Sequence, residues 1–195
     1  MYVAWVKWRL DFRADRTDPE SIRGMLERPV MSLMSTTRDN CVLILCQPRF
    51  HEPSAQQLEQ LVRYGIFVIE KAIEKIEREG LQPYIHCIYD RTGMTSANRD
   101  SALIKFAFRM ATMMQDFYCE RLGNFYVVGA NWVYWAAFKL IKPFLAQKTR
   151  EKIKLIDRNE QLLEWIAPEN LIPELGGTLD FQYDPQTQWG LAPRD

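Results

Sequence analysis

Apolar positions recur along this chain at two spacings, and the change from one to the other outlines its elements. Residues 41–46, CVLILC, form a compact apolar run with the length of a buried strand. Pro48 and Pro53 bracket the loop that follows. From Ser54 onward the period becomes helical: Leu58, Leu61, Val62, Ile66, Ile69, Ile73 and Ile76 recur at i, i+3, i+4 and i+7, with Glu and Lys on the other face. Ser54 and Gln57 match a capping box at its start, and Gly80 supplies its stop. A second strand is predicted over 83–89, ending in the polar turn Asp90-Arg91-Thr92-Gly93. A helix over about 98–118 and a third strand over 125–129 come next. Strand, helix, strand in that order predicts a right-handed crossover and locally parallel pairing.

The segment 132–145 breaks the amphipathic rule. Trp132, Val133, Trp135, Ala136, Phe138, Leu140 and Ile141 reach most of the way round a helix, while Lys139 and Lys142 require one exposed edge. Two readings stay open: a central core helix, or a helix with a hydrophobic cavity on one side and a membrane on the other. Residues 152–156 can add one more strand, and a short helix is predicted over 160–165. A Pro-punctuated stretch, 168–177, follows, and 178–195 reads as a loosely held tail. At the front, 2–13 places Trp5, Trp8 and Phe12 at roughly helical spacing around Arg9. Residues 14–40 are mixed, with a short helix near 19–27. The class is α/β with a small mixed sheet.

Composition narrows the function. A chain of 195 residues suits one well-buried core, and 47% hydrophobic with 26% charged residues is ordinary for a globular domain. Lys+Arg and Asp+Glu are both 25, so the basic excess of a nucleic-acid binder is missing. Local charge is uneven: Lys139, Lys142, Lys148, Arg150, Lys152 and Lys154 crowd one region. Cys41, Cys46, Cys87 and Cys119 show no C-x-x-C spacing and read as reduced thiols of a cytoplasmic protein. Two histidines, His51 and His86, supply metal sites and triads poorly, and no metal or other cofactor is expected. No apolar run reaches the roughly 18 residues that span a bilayer, so membrane contact is expected to be peripheral. There is no G-x-G-x-x-G, Walker A loop or G-x-S-x-G elbow, and Asp90 in an Asp-x-x-Gly turn reads as structural. The chain is not expected to be an enzyme.

Several blocks together point to a family. Glu120-Arg121-Leu122-Gly123-Asn124-Phe125-Tyr126-Val127-Val128 resembles the "ER-hydrophobe-G" entry to a strand in CRAL-TRIO lipid-binding domains. Lys142-Pro143-Phe144-Leu145, Thr149-Arg150-Glu151-Lys152-Ile153 and the run 168–177, PENLIPELGG, resemble further blocks of that family, as do Asp90-Arg91-Thr92-Gly93 and Trp8-Arg9. The resemblance covers roughly residues 5–178. It implies a CRAL-TRIO-like α/β fold in which a small mixed sheet floors a hydrophobic pocket closed by a gate helix near 132–145. It divides the chain into a remnant of an N-terminal helical lobe (1–15), the lipid-binding domain (16–178) and a C-terminal tail (179–195).

The resemblance also implies a ligand. In the phosphatidylinositol-transferring branch, the headgroup residues fall here on Arg9, Glu120, Arg121, Thr149 and Lys152, each of the expected type. Arg9 and Lys152 suit phosphate oxygens, Thr149 can donate its hydroxyl, and Glu120 can accept from inositol hydroxyls or orient Arg121. Without that resemblance, Thr149 reads as a helix N-cap with Lys152 on its first turn, and Glu120-Arg121 as a surface corner. Trp135 and Phe138 fall on the gate. Two polar strand positions of that branch are Ile85 and Cys87 here, so a buried phosphocholine would lack its partners, and a sterol or other apolar molecule is the expected second ligand. The expected function is lipid binding and exchange by a monomer that touches membranes transiently, with phosphatidylinositol or a phosphoinositide as ligand. The alternatives are a carrier of an apolar sterol- or tocopherol-like molecule, and a lipid-sensing module that targets membranes.

Overall fold

A computed structural model describes residues 2–52, 58–98, 101–118, 120–130, 139 and 147–193. The expected capping box at Ser54 and Gln57, and the gate segment 132–145 with Trp135 and Phe138, lie outside these residues apart from Lys139. The helices are α1 (Tyr2–Phe12), α2 (Arg23–Leu26), α3 (Leu58–Glu79), α4 (Ser101–Phe117), α5 (Gln147–Lys152) and α6 (Pro185–Trp189). The strands are β1 (Met31–Thr36), β2 (Cys41–Cys46), β3 (Gln82–Asp90), β4 (Leu122–Val128) and β5 (Ile153–Ile156).

All five strands join one sheet in chain order, β1-β2-β3-β4-β5. β1 and β2 pair antiparallel, and the other three pairings are parallel, so the sheet is mixed. Parallel strands covered on both faces should read as unbroken apolar runs. β2 does: Cys41 through Leu45 are all buried. β1 gives no such signal, because Met31–Thr36 alternates buried and half-buried positions and carries two serines. It sits where the sequence offered no strand.

Each sheet face has its own core. On one side α3 brings Leu61, Val62, Ile66, Ile69 and Ile76, five of its seven stripe positions, into full burial against Val42, Ile44 and Ile85, with Ile73 and Leu58 half-buried at the margin. α4 crosses α3 closely at Gly65, where a Cβ would stand 2.9 Å from the Phe106 ring. α3 stops at Gly80 (φ 65°), and the Leu81 amide returns to the Ile76 carbonyl at 3.0 Å, the closing bond of a Schellman turn. On the other side Leu43, Leu45, Ile88, Tyr126, Val128 and Ile156 meet Leu162, Ile166, Leu171, Ile172 and Leu175. These last residues come from three 3₁₀ segments, Asn159–Glu164, Pro168–Asn170 and Pro173–Leu175, and from the turns between them. The prolines punctuate a chain that turns repeatedly to cover a sheet.

The tail departs from the sequence reading of a loosely held segment. Trp189 and Leu191 are each 3% exposed and belong to the α3-side core. Trp189 meets Phe67 edge-on at 5.8 Å and donates its indole N–H to Tyr183 Oη at 2.7 Å. Gln188 binds the outer edge of β1: its Oε1 accepts from the Leu33 amide at 2.9 Å, and its Nε2 donates to the Leu33 carbonyl at 3.2 Å. One large apolar residue amid polar neighbours carries no periodicity, so this docking leaves no sequence pattern.

Candidate functional site

The polar site forms at the amino-terminal ends of β4 and β5. Glu120 takes a left-handed backbone (φ 63°), which turns the chain sharply out of α4 and lets the Arg121 amide bond the Tyr118 carbonyl at 3.1 Å. Arg121 then locks the neighbouring strand. Its carbonyl accepts from the Ile85 amide at 2.7 Å, and its Nη1 donates to the Pro83 carbonyl at 3.3 Å.

Lys152 closes α5 and reaches across to the start of β4, where Nζ donates to the Leu122 carbonyl at 2.6 Å. Thr149 lies three residues earlier on the same short helix, a spacing that puts both side chains on one face. Thr149 sits within α5 (Gln147–Lys152) rather than at its N-cap, which removes the capping role that the sequence left open for it. Glu120 is exposed; Arg121, Thr149 and Lys152 are half-buried. Four of the five expected headgroup residues therefore flank the β4–β5 entry.

Arg9 belongs to a different arrangement. Its Nη1 and Nη2 donate to Glu70 Oε1 and Oε2 at 2.9 and 3.0 Å, a bidentate pair that raises the guanidinium pKa. Glu70 Oε1 also accepts from Tyr118 Oη at 2.5 Å. Burial, then the Glu70 contact, pushes the Tyr118 phenol well above its ordinary range. The cluster ties α1, α3 and the end of α4 together. It connects to the polar corner through Tyr118, two residues before Glu120. Glu70 and Tyr118 were not among the expected site residues. Glu70 carries a readable signal, since an acid within an apolar stripe, between Ile69 and Ile73, needs a buried partner.

Beneath the corner lies His86, 8% exposed. Its Nδ1 accepts from Tyr126 Oη at 3.2 Å and from the Asn124 amide at 3.4 Å, and Asn124 Nδ2 in turn donates to Tyr126 Oη at 3.2 Å. These bonds assign the remaining proton to Nε2. Burial lowers the His86 pKa; Asp39 opposes it, and the positive charge of Lys152 adds a smaller lowering. Gly123 is required here, because a Cβ would stand 2.2 Å from His86 Cδ2.

The apolar side of the site follows from strand register. Cys87, Phe125 and Ile153 align across β3, β4 and β5, and Tyr89, Val127 and Leu155 form the next row. Phe125 and Tyr89 stack at 6.0 Å. All six are apolar or aromatic, and all but Val127 are only half-buried. Ile85 is 3% exposed, packed under α3 rather than on this half-buried strip, whereas Cys87 sits at its border. Burial raises the Cys87 thiol well above its usual range, so it stays a neutral, apolar group.

The chain's relatives agree with this architecture. The CRAL/TRIO domain model matches residues 27–177. A CRAL-TRIO domain-containing protein of Schizosaccharomyces pombe is 28% identical over 182 residues, covering 93% of this chain and 17% of that protein. A phosphatidylinositol transfer protein of Eremothecium gossypii is 26% identical over 171 residues, covering 88% of this chain and 38% of that protein. The crystal structure of Sfh5 superimposes with a TM-score of 0.67 at 19% identity, over 84% of this chain and 61% of that one. The chain spans well under half the length of these two sequence relatives.

Proposed function

Since the chain belongs to the CRAL/TRIO domain family, we propose that it binds phosphatidylinositol and exchanges it with membranes. The observation that carries this reading is the grouping of Glu120, Arg121, Thr149 and Lys152 at one end of a half-buried apolar strip formed by Cys87, Tyr89, Phe125, Ile153 and Leu155. A phosphorylated headgroup meets the corner, and acyl chains run along the strip. The relative named as a phosphatidylinositol transfer protein supports the choice of lipid.

The two parts of the site do different work. Each buried methylene contributes about 0.8 kcal/mol, so the apolar strip decides whether a lipid leaves the bilayer at all. Each charge-assisted hydrogen bond adds about 1.5–3 kcal/mol, so the corner decides which lipid leaves. Lys152 can exchange the Leu122 carbonyl for a phosphate oxygen. Arg9 reaches a phosphate only by giving up Glu70, and its role is to hold the corner in place through Tyr118. The reaction is binding and release, without covalent chemistry, by a cytoplasmic monomer that meets the membrane transiently.

One observation favours a second ligand. Ile85 and Cys87 offer no hydroxyl to a phosphocholine, and Cys87 faces the apolar strip, which suits a sterol-like or other apolar molecule. Lipid co-purifying with the chain, identified by mass spectrometry, tests both readings. Phosphatidylinositol in the wild type and its loss in a Thr149→Ala, Lys152→Ala double variant is the expected result. An apolar molecule that the variant retains overturns the headgroup assignment. Bound phosphatidylinositol without transfer between vesicles marks a lipid-sensing module instead.

A further inference from the structure

We propose that the outer face of α4 is a docking surface for anionic membranes, with Phe108 as the inserted anchor and Lys105 and Arg109 as the headgroup contacts. The inner face of α4 is fully accounted for: Ala102, Phe106, Met110, Met113, Met114 and Phe117 pack against the α3-side core. The opposite face carries Lys105, Ala107, Phe108, Arg109, Ala111 and Thr112, then Gln115 and Asp116 about two turns beyond the ring, all exposed. Phe108 is 60% exposed, although the core lies on the other side of the same helix. Its neighbours one turn away, Ala111 and Thr112, are small, so the ring projects beyond them. Such a ring lowers its free energy when something apolar covers it.

Charge and hydrogen bonding specify what covers it. Lys105 precedes Phe108 by three positions and Arg109 follows it directly, which on a helix puts both cations on one side of the ring and Ala107 and Ala111 on the other. Neither cation forms an ion pair among the described residues, and both remain available to anionic groups. The Thr112 hydroxyl donates to the Phe108 carbonyl at 3.1 Å, so the face can enter an apolar boundary with no unpaired hydroxyl donor. An aromatic ring beside two cations on an exposed helix face matches the boundary between headgroups and acyl chains. Among the described side chains of this face, one phenylalanine and two alanines are far too little apolar surface for the roughly 800 Å² per partner of a stable protein interface. The surface depends on the residues of α4 alone, whichever lipid occupies the site.

Co-sedimentation of the full chain with phosphatidylcholine vesicles, with and without phosphatidylserine, tests the proposal. Wild type is expected to favour the phosphatidylserine vesicles. Lys105→Gln with Arg109→Gln should remove that preference, weakening binding by about fivefold per charge. Phe108→Ala should weaken binding to both vesicle types by about tenfold, with the melting temperature little changed because the ring is 60% exposed and belongs to neither core cluster. Retention of co-purified lipid by these variants separates docking from lipid binding. Wild-type binding by either variant overturns the proposal, as does a wild type that ignores phosphatidylserine. A self-association of the wild type that Phe108→Ala abolishes, with vesicle binding intact, also overturns it and makes the face a protein interface.

Discussion

Arg9 and Glu70 meet end to end, two guanidinium nitrogens on two carboxylate oxygens at 2.9 and 3.0 Å, with side chains only 24% and 11% exposed. The pair holds α1 to α3, and Tyr118 extends it to the turn that presents Glu120 and Arg121. Removing one partner leaves the other partly buried and uncompensated. Arg9→Met is expected to cost about 3 kcal/mol of unfolding free energy in urea titration. Arg9→Met with Glu70→Met should cost less than the two single changes added together, because neither charge is then left alone. Additive costs would show that the two groups do not interact.

The contact between Gly123 and His86 gives a second test. An alanine at position 123 would press on the imidazole at 2.2 Å, and overpacking of this kind costs about 1–3 kcal/mol. His86→Ala empties the space, so Gly123→Ala should be nearly free of cost in that background. Equal penalties in both backgrounds would mean that the ring is not the obstacle.

The same histidine sets a pH dependence. Burial holds its pKa below the unfolded value of about 6.5 against the opposing charge of Asp39, so the unfolded chain binds a proton that the native chain resists. The stability that His86 contributes is complete above about pH 6.5 and declines as pH falls toward and through its native pKa. In His86→Asn, whose Oδ1 can accept the bonds now made to Nδ1, that part of the slope should vanish. Melting temperatures of the two proteins between about pH 7 and 5 read it directly, and parallel curves would exclude His86 as the source.

Trp189 anchors the tail. Truncation to alanine is expected to cost about 3–5 kcal/mol, as for other buried large aromatics, visible as a lower urea midpoint. Ending the chain at residue 178 should cost at least as much, since Tyr183, Gln188 and Leu191 leave with it. Wild-type stability after either change would restore the reading of a loose tail.

What could be read from the sequence was whatever a single element determines by itself. α3 declares its stripe because seven apolar residues repeat within one helix, and β2 because both its faces are covered. β1 was silent because Met31–Thr36 is a strand only through its pairing with β2. Among the site residues, the block around Glu120-Arg121 and the pair Thr149 and Lys152 resembled a known family and come together at the strand entry. The engagement of Arg9 by Glu70 was hidden because it joins residues 61 positions apart. His86 showed no pattern either. Its setting is made by Gly123, Asn124 and Tyr126 on the neighbouring strand.

The grip of Gln188 on Leu33 sets an order on how the protein is made. The first strand of the sheet is synthesised well before the side chain that covers its outer edge, which lies 155 positions further along the chain. Until then β1 offers unpaired backbone groups to any passing strand, the kind of edge that recruits other chains. Translation that stops short of α6 therefore yields more than a shortened protein. It releases a sheet with an open seam, and such products are expected to be found in aggregates and chaperone complexes.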